Sequence, residues 1–201
     1  MDTRVAHLIA IVISIAVLAI AAAGCSTSAP ARFYTLDSTS ASDGAPATRD
    51  RIVVGPVSVP ASVDQPQFVV QVASNRVELD EFNRWAAPLN DAIARAVAGD
   101  LSTLLGTPDV ATAQLANFNP KYRVTIDVLR FESIRGEAAV VEAVWAVHRT
   151  SDGKTHSGRT LAREAVQSEG FDALAAAHSQ ALAKVSADIA AAIRTDDAEN
   201  S

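Results

Sequence analysis

The one cysteine of this 201-residue chain, Cys25, directly follows Ala21-Ala22-Ala23-Gly24. A single thiol closes no intramolecular disulfide and builds no cysteine-based zinc site. What remains is a nucleophilic sulfur after small residues that let an extended chain enter a peptidase cleft. His148 and His156 flank the turn Ser151-Asp152-Gly153-Lys154, so across a hairpin they could approach and hold a metal. The simpler reading is two exposed polar strand residues, with no carboxylate at a ligand-like spacing beside them. His178 falls near an apolar helical stripe and reads as a partly buried histidine. The carboxylate pairs Asp80-Glu81 and Asp196-Asp197 stand at an element end and in the C-terminal tail, where solvated charge is expected. There is no Gly-x-Gly-x-x-Gly, no Walker loop, no Gly-x-Ser-x-Gly elbow and no acid–base constellation. The expectation is a protein that is not an enzyme and carries no metal or cofactor. Lys and Arg number 17 against 23 Asp and Glu, with no basic block, which argues against nucleic acid as a partner.

Leu8 to Ala23 is apolar apart from Ser14. It is shorter than the ~20 residues of a spanning helix and fits the h-region of a signal peptide. Arg4 is the only positive charge before it, partly offset by Asp2. The end of this segment resembles a bacterial lipobox, with Ala22 where leucine is usual. That resemblance implies cleavage before Cys25 and acylation of its thiol. A plain secretory signal with a chance cysteine, or an uncleaved anchor, are the alternatives. Several acyl chains on one residue make a stable anchor, since each buried CH₂ is worth roughly 0.8 kcal/mol. Ser26 rather than aspartate after the cysteine implies, by the enteric-type sorting rule, the outer membrane, with the domain on its periplasmic face. The chain therefore divides into a signal peptide (1–24), a lipidated tether (25–31), a domain (32–194) and a flexible tail (195–201). Losing the leader removes one Asp and one Arg and leaves the net charge at −6.

Two helices and a set of strands must position whatever the domain presents. Arg32 to Leu36 reads as a short strand, and residues 37–50 as a loop without periodicity. Arg51 to Val59 is strand-like, but Gly55-Pro56 makes it an edge strand or a bulge, because proline cannot donate to a ladder. Gln67 to Ala73 and Arg76 to Leu79 read as a hairpin around Asn75. Pro88 to Leu105 is a helix, with Leu89, Ile93, Val97, Leu101 and Leu104 on one face and Gly106 as its stop. Gly99 inside it costs ~1 kcal/mol against alanine. A short strand falls near 109–112. Tyr122 to Phe131, Ala138 to Arg149 and Thr155 to Gln167 form a meander, with Asp152-Gly153 as its second turn. Phe171 to Ile193 is a long helix with Leu174, Ala177, Ala181, Leu182, Val185, Ile189 and Ile193 on its apolar face. This order predicts an α+β fold, a mostly antiparallel sheet with the two helices on one face.

Trp145, near the centre of a half-buried strand, reads as core. Trp85 has two readings: a staple at the start of the first helix, or an interface hot spot of the kind Trp and Arg form. Here a family resemblance enters. Phe33-Tyr-Thr-Leu36, Ile52-Val-Val-Gly-Pro-Val-Ser-Val-Pro60, Asp64-Gln-Pro-Gln-Phe68, Asn75-Arg76, Arg84-Trp-Ala-Ala-Pro-Leu89, Arg130-Phe-Glu132 and Trp145 resemble the ABC-type transport auxiliary lipoproteins. These include the PqiC-like subunits of intermembrane lipid-transport systems. The most specific piece is the box around Arg84, Trp85, Pro88 and Leu89, where the family commonly has glutamate in place of Ala87. The resemblance implies a non-enzymatic lipoprotein, held by Cys25, that docks onto an MCE-domain subunit working with inner-membrane permease components and connects it to the outer membrane. Homo-oligomerisation into a ring would suit a conduit. The alternative is a stand-alone lipid-binding envelope lipoprotein, which needs an apolar cavity of roughly 300–1,000 Å³.

Overall fold

The computed structural model describes residues 29–113 and 117–199; the leader and Cys25 lie outside them. The strands are β1 (Arg32–Tyr34), β2 (Ile52–Ser58), β3 (Gln67–Ala73), β4 (Arg76–Trp85), β5 (Val110–Ala111), β6 (Tyr122–Ile134), β7 (Ala138–Arg149) and β8 (Thr155–Ala165). The helices are α1 (Leu89–Leu105) and α2 (Phe171–Glu199). Among the described residues the strands form one eight-stranded sheet.

Strand β6 organises that sheet. Along its whole length one edge pairs antiparallel with β7, and β8 continues the meander. Its other edge is shared. The first half, Tyr122 to Asp127, pairs parallel with β2, and the end, Ser133 and Ile134, pairs parallel with β3. The β3–β4 hairpin then carries β1 parallel to the end of β4, and β5 lies parallel to β2. The long ladders are antiparallel, as the sequence predicts, and the parallel pairings are short. Tyr122, Val124, Ile126 and Val128 are buried, and a bulge between Val128 and Arg130 hands the buried face to Phe131 and Ser133. This phase slip ends the sequence alternation three residues before the strand itself stops. Pro56 sits in a second bulge, between Val54 and Val57, that interrupts the β2–β6 ladder.

Both helices cover one face of the sheet, and every apolar position read from their periodicity is buried. Pro88 caps α1 without a side-chain hydrogen bond, and Gly106 ends it at φ 62° in the left-handed region that glycine tolerates. The loop 37–50 crosses both helices rather than running free. Buried Asp100 of α1 accepts hydrogen bonds from the Ser38 hydroxyl and the Thr39 and Ser40 amides at 2.9 Å, and from the Ser186 hydroxyl of α2 at 3.0 Å. Gly99 makes that crossing possible, since a Cβ there would stand 2.8 Å from the Ser38 Cβ.

The C-terminus departs from the sequence reading. Helix α2 continues through Glu199 instead of ending at Ile193, so Thr195 to Glu199 is helical and not a frayed tail. The reason is ionic: Asp196 is buried against Arg149 of β7, which anchors the last turns.

Gly99→Ala is expected to destabilise the domain by about 1–3 kcal/mol in urea unfolding, because overpacking outweighs the ~1 kcal/mol that alanine gains in a helix. A stabilised variant would show that the loop does not pass as described.

Candidate functional site

The stretches that carry the family resemblance are far apart in the chain and meet at the start of α1. The Trp85 amide donates to the Pro66 carbonyl at 2.8 Å, and the Ala86 amide donates to the Tyr34 carbonyl at 2.9 Å. Gln67 pairs with Arg84, and Phe33 and Tyr34 pair with Arg84 and Trp85. Residues 64–66 and 85–89 thereby line a cleft of about 400 Å³.

Trp85 closes the floor of this region and faces inward. Its ring is 6% exposed and stacks on Phe68 at 4.3 Å. It meets Phe131 edge-on at 5.9 Å and His178 at 6.1 Å. Tyr34 and Phe171 extend the cluster through edge-to-face contacts with Phe68. One aromatic nucleus thus joins β1, β3, β4, β6 and α2. This geometry is that of a helix-start staple, since a hot spot must present its ring to a partner. Leu89 is buried beside it, and Pro88 supplies the carbonyl that receives the Ala92 amide at 3.0 Å. Of the four box residues, Pro88 is exposed and Arg84 is half-buried, and the Arg84 side chain is braced. Its Nε donates to the Glu81 carbonyl at 2.8 Å, and its terminal nitrogen donates to the Glu81 carboxylate at 3.2 Å. The lipidation residue, Cys25, is outside the described residues.

His178 is fully buried, more than the sequence suggests. Its ring lies parallel to Phe131 at 3.8 Å, Nε2 is 2.8 Å from the Ser133 hydroxyl, and Nδ1 has no hydrogen-bond partner among the described residues. Burial depresses its pKa to about 3. A serine beside a histidine suggests a nucleophile and its base, but an imidazole this weakly basic accepts no proton near neutrality. The pair is built for packing. The signal for it was the spacing Leu174, His178, Leu182, which puts the ring in the centre of the buried stripe.

The second polar cluster overturns the expectation of solvated charge at Asp196-Asp197. Asp196 receives Arg149 at 3.0 Å and His156 Nε2 at 2.9 Å, and the Tyr122 hydroxyl lies 2.8 Å from it and 2.7 Å from Asp197. Lys121 bridges Asp50 and Asp197 at 3.0 and 2.6 Å. Burial opposes ionisation of Asp196, yet the bonds from Tyr122 and His156 and the charges of Arg149 and Lys154 hold its carboxyl below the usual range. Asp196 continues the stripe of Ile189 and Ile193 at helical spacing, a signal overridden by the polar composition of the last seven residues. His148 does not approach His156: it bonds Thr155 at 3.0 Å while His156 turns to α2. His156, Asp196 and Glu199 do converge, with ligand atoms within 4.8 Å. Lys154 already sits against both carboxylates, so an ammonium occupies the place a metal would need.

Residues 34–190 match the family described as ABC-type transport auxiliary lipoprotein component, and the chain belongs to it. No curated protein sequence matches it. Among solved structures, protein XCC0632 from Xanthomonas campestris, of the family DUF330, is 22% identical with a TM-score of 0.70, over 85% of this chain and 100% of that one. An uncharacterized protein is also 22% identical, with a TM-score of 0.67, over 82% and 99%. Both share the fold.

Trp85→Ala is expected to lower unfolding stability by about 3–5 kcal/mol, as deletion of a buried aromatic does. Intact stability with lost partner binding would instead make Trp85 a hot spot. A second expectation concerns pH. The His178 pKa is about 3 folded against 6.5 as its ordinary value. Unfolded chains therefore bind the extra proton, so stability is full above pH ~6.5 and declines as pH falls toward 3. The loss at pH 5 is roughly 2 kcal/mol, and His178→Gln should flatten the stability profile between those limits. An unchanged slope in the variant would place the histidine in contact with water.

Proposed function

We propose that this chain is the lipid-anchored accessory subunit of an ABC/MCE-type intermembrane lipid-transport system. It docks onto an MCE-domain partner that works with inner-membrane permease components, and its acylated Cys25 ties the assembly to the periplasmic face of the outer membrane. The family match over 34–190 carries this reading. Anchoring by acyl chains accords with the absence, among the described residues, of a helix long and apolar enough to cross a membrane. The domain acts by binding and positioning, without catalysis.

The geometry also suggests where a protein partner would dock. The helices cover one face of the sheet, and Trp85 and Leu89 of the box are buried in the core. The face opposite carries Val77, Leu79, Leu129, Val144 and Leu161 exposed. Val77 of β4 joins Leu129 of β6 around a cleft of about 290 Å³, and Leu79 follows two residues along β4. Exposed apolar side chains grouped in this way are what transient partner surfaces are made of.

The test is purification of tagged protein from envelopes. An MCE-type protein should come down with it, and Val77→Asp combined with Leu79→Asp should abolish that capture at unchanged circular dichroism. Cys25→Ser should release the protein from membranes while leaving capture in detergent intact. A folded, membrane-bound protein that captures no MCE-type partner would sink the reading, as would a Cys25→Ser variant that still fractionates with the outer membrane alone.

A further inference from the structure

The strand pair nearest the tether carries two large exposed rings. Phe33 of β1 is 64% exposed and Phe82 of β4 is 45% exposed. In the parallel β1–β4 ladder Arg32 pairs with Asn83 and Phe33 with Arg84, which sets the two rings close to each other along the edge. Tyr34, next in sequence, turns into the core and bonds Asn83 at 2.7 Å, so β1 is held firmly while Phe33 points away.

Chain length says what lies opposite. Seven Cα–Cα steps separate Cys25 from Arg32, and at most ~3.6 Å each they span about 25 Å. With acyl chains on Cys25, the β1 edge cannot leave the immediate vicinity of the bilayer surface. We infer that this edge is a membrane-contacting surface, with Phe33 and Phe82 entering the headgroup region of the bilayer that holds the anchor. The inference rests on the lipidation of Cys25. Rings at this depth suit the water–lipid interface. The basic residue on the rings' side of the ladder is Arg84, which pairs with Phe33. Two acids stand near the edge: Glu81 is bound by Arg84 and by Gln67 at 3.3 Å, and Asp80 accepts the Phe82 and Asn83 amides at 2.9 Å, so neither is a bare anion against the lipid. Leu161 lies on β8, at the opposite side of the sheet and five strand spacings from β1, about 24 Å at ~4.8 Å each. A second contact of this kind fixes the orientation that a flexible anchor alone leaves free, and so decides which face of the sheet a transporter subunit meets.

The experiment uses the mature lipidated protein on vesicles of phosphatidylethanolamine and phosphatidylglycerol with brominated acyl chains. Phe33→Trp, Phe82→Trp and Leu161→Trp are made singly; the native Trp85 and Trp145 are buried and give a constant background. The emission added by F33W and F82W should shift to shorter wavelength and be quenched, and that added by L161W should do neither. Protein that floats with the vesicles while F33W and F82W are quenched no more than L161W overturns the inference and leaves the anchor standing. Protein that fails to float removes the anchor and the inference with it. Emission at F33W that shifts with protein concentration without lipid means the edge meets a second copy. A shift seen only on adding the captured MCE-type partner means a protein covers the edge. Either result overturns the membrane assignment.

Discussion

The stack of Trp85 on Phe68 is the contact through which the rest of the domain is held. Trp85 ends β4 and Phe68 begins β3, so the stack clamps the far end of the hairpin. Phe131 reaches the same nucleus from β6, and His178 brings α2 onto it. Helix α1 begins four residues after Trp85, so the direction in which it leaves the sheet follows from where the indole is buried. Aromatic pairs of this geometry contribute roughly 0.5–1.5 kcal/mol beyond area burial. The main effect is geometric, since the rings bring four separate motif stretches together at one place.

Around that nucleus the buried polar groups act as locks. Asp100 ties the loop that leads from the tether to both helices, using four neutral donors rather than a cation. Asp196 ties the last turns of α2 to β6, β7 and β8 through Tyr122, Arg149 and His156. Buried carboxylates are costly unless fully hydrogen-bonded, and both of these are. The loop 37–50 is therefore fastened to both helices, and the last turns of α2 to three strands.

Much of this was legible in the sequence. The apolar faces of both helices, the α+β class and the family follow from periodicity and from the motif stretches. What periodicity could not reach was phase and charge. The bulge at Val128–Arg130 hid the last turn of β6, because an inserted residue flips the alternation. Asp196 was hidden because composition outweighed spacing: its position on the stripe of Ile189 and Ile193 pointed inward, while its type pointed to solvent. The Ser133–His178 pair joins residues forty-five apart whose meeting depends on tertiary packing. Trp85 is the instructive case. Its type fits both a core and an interface, and only the neighbouring rings decide between them.

The buried half of the family box, Trp85 and Leu89, serves the core. The account stands or falls on the internal role of Trp85. A double-mutant cycle of Trp85→Leu and Phe68→Leu in urea unfolding tests it most directly. The predicted result is a large loss in each single variant and a coupling of about 0.5–1.5 kcal/mol between them. Near-zero coupling, with Trp85→Leu costing less than about 0.5 kcal/mol, the size of an ordinary surface change, would contradict it.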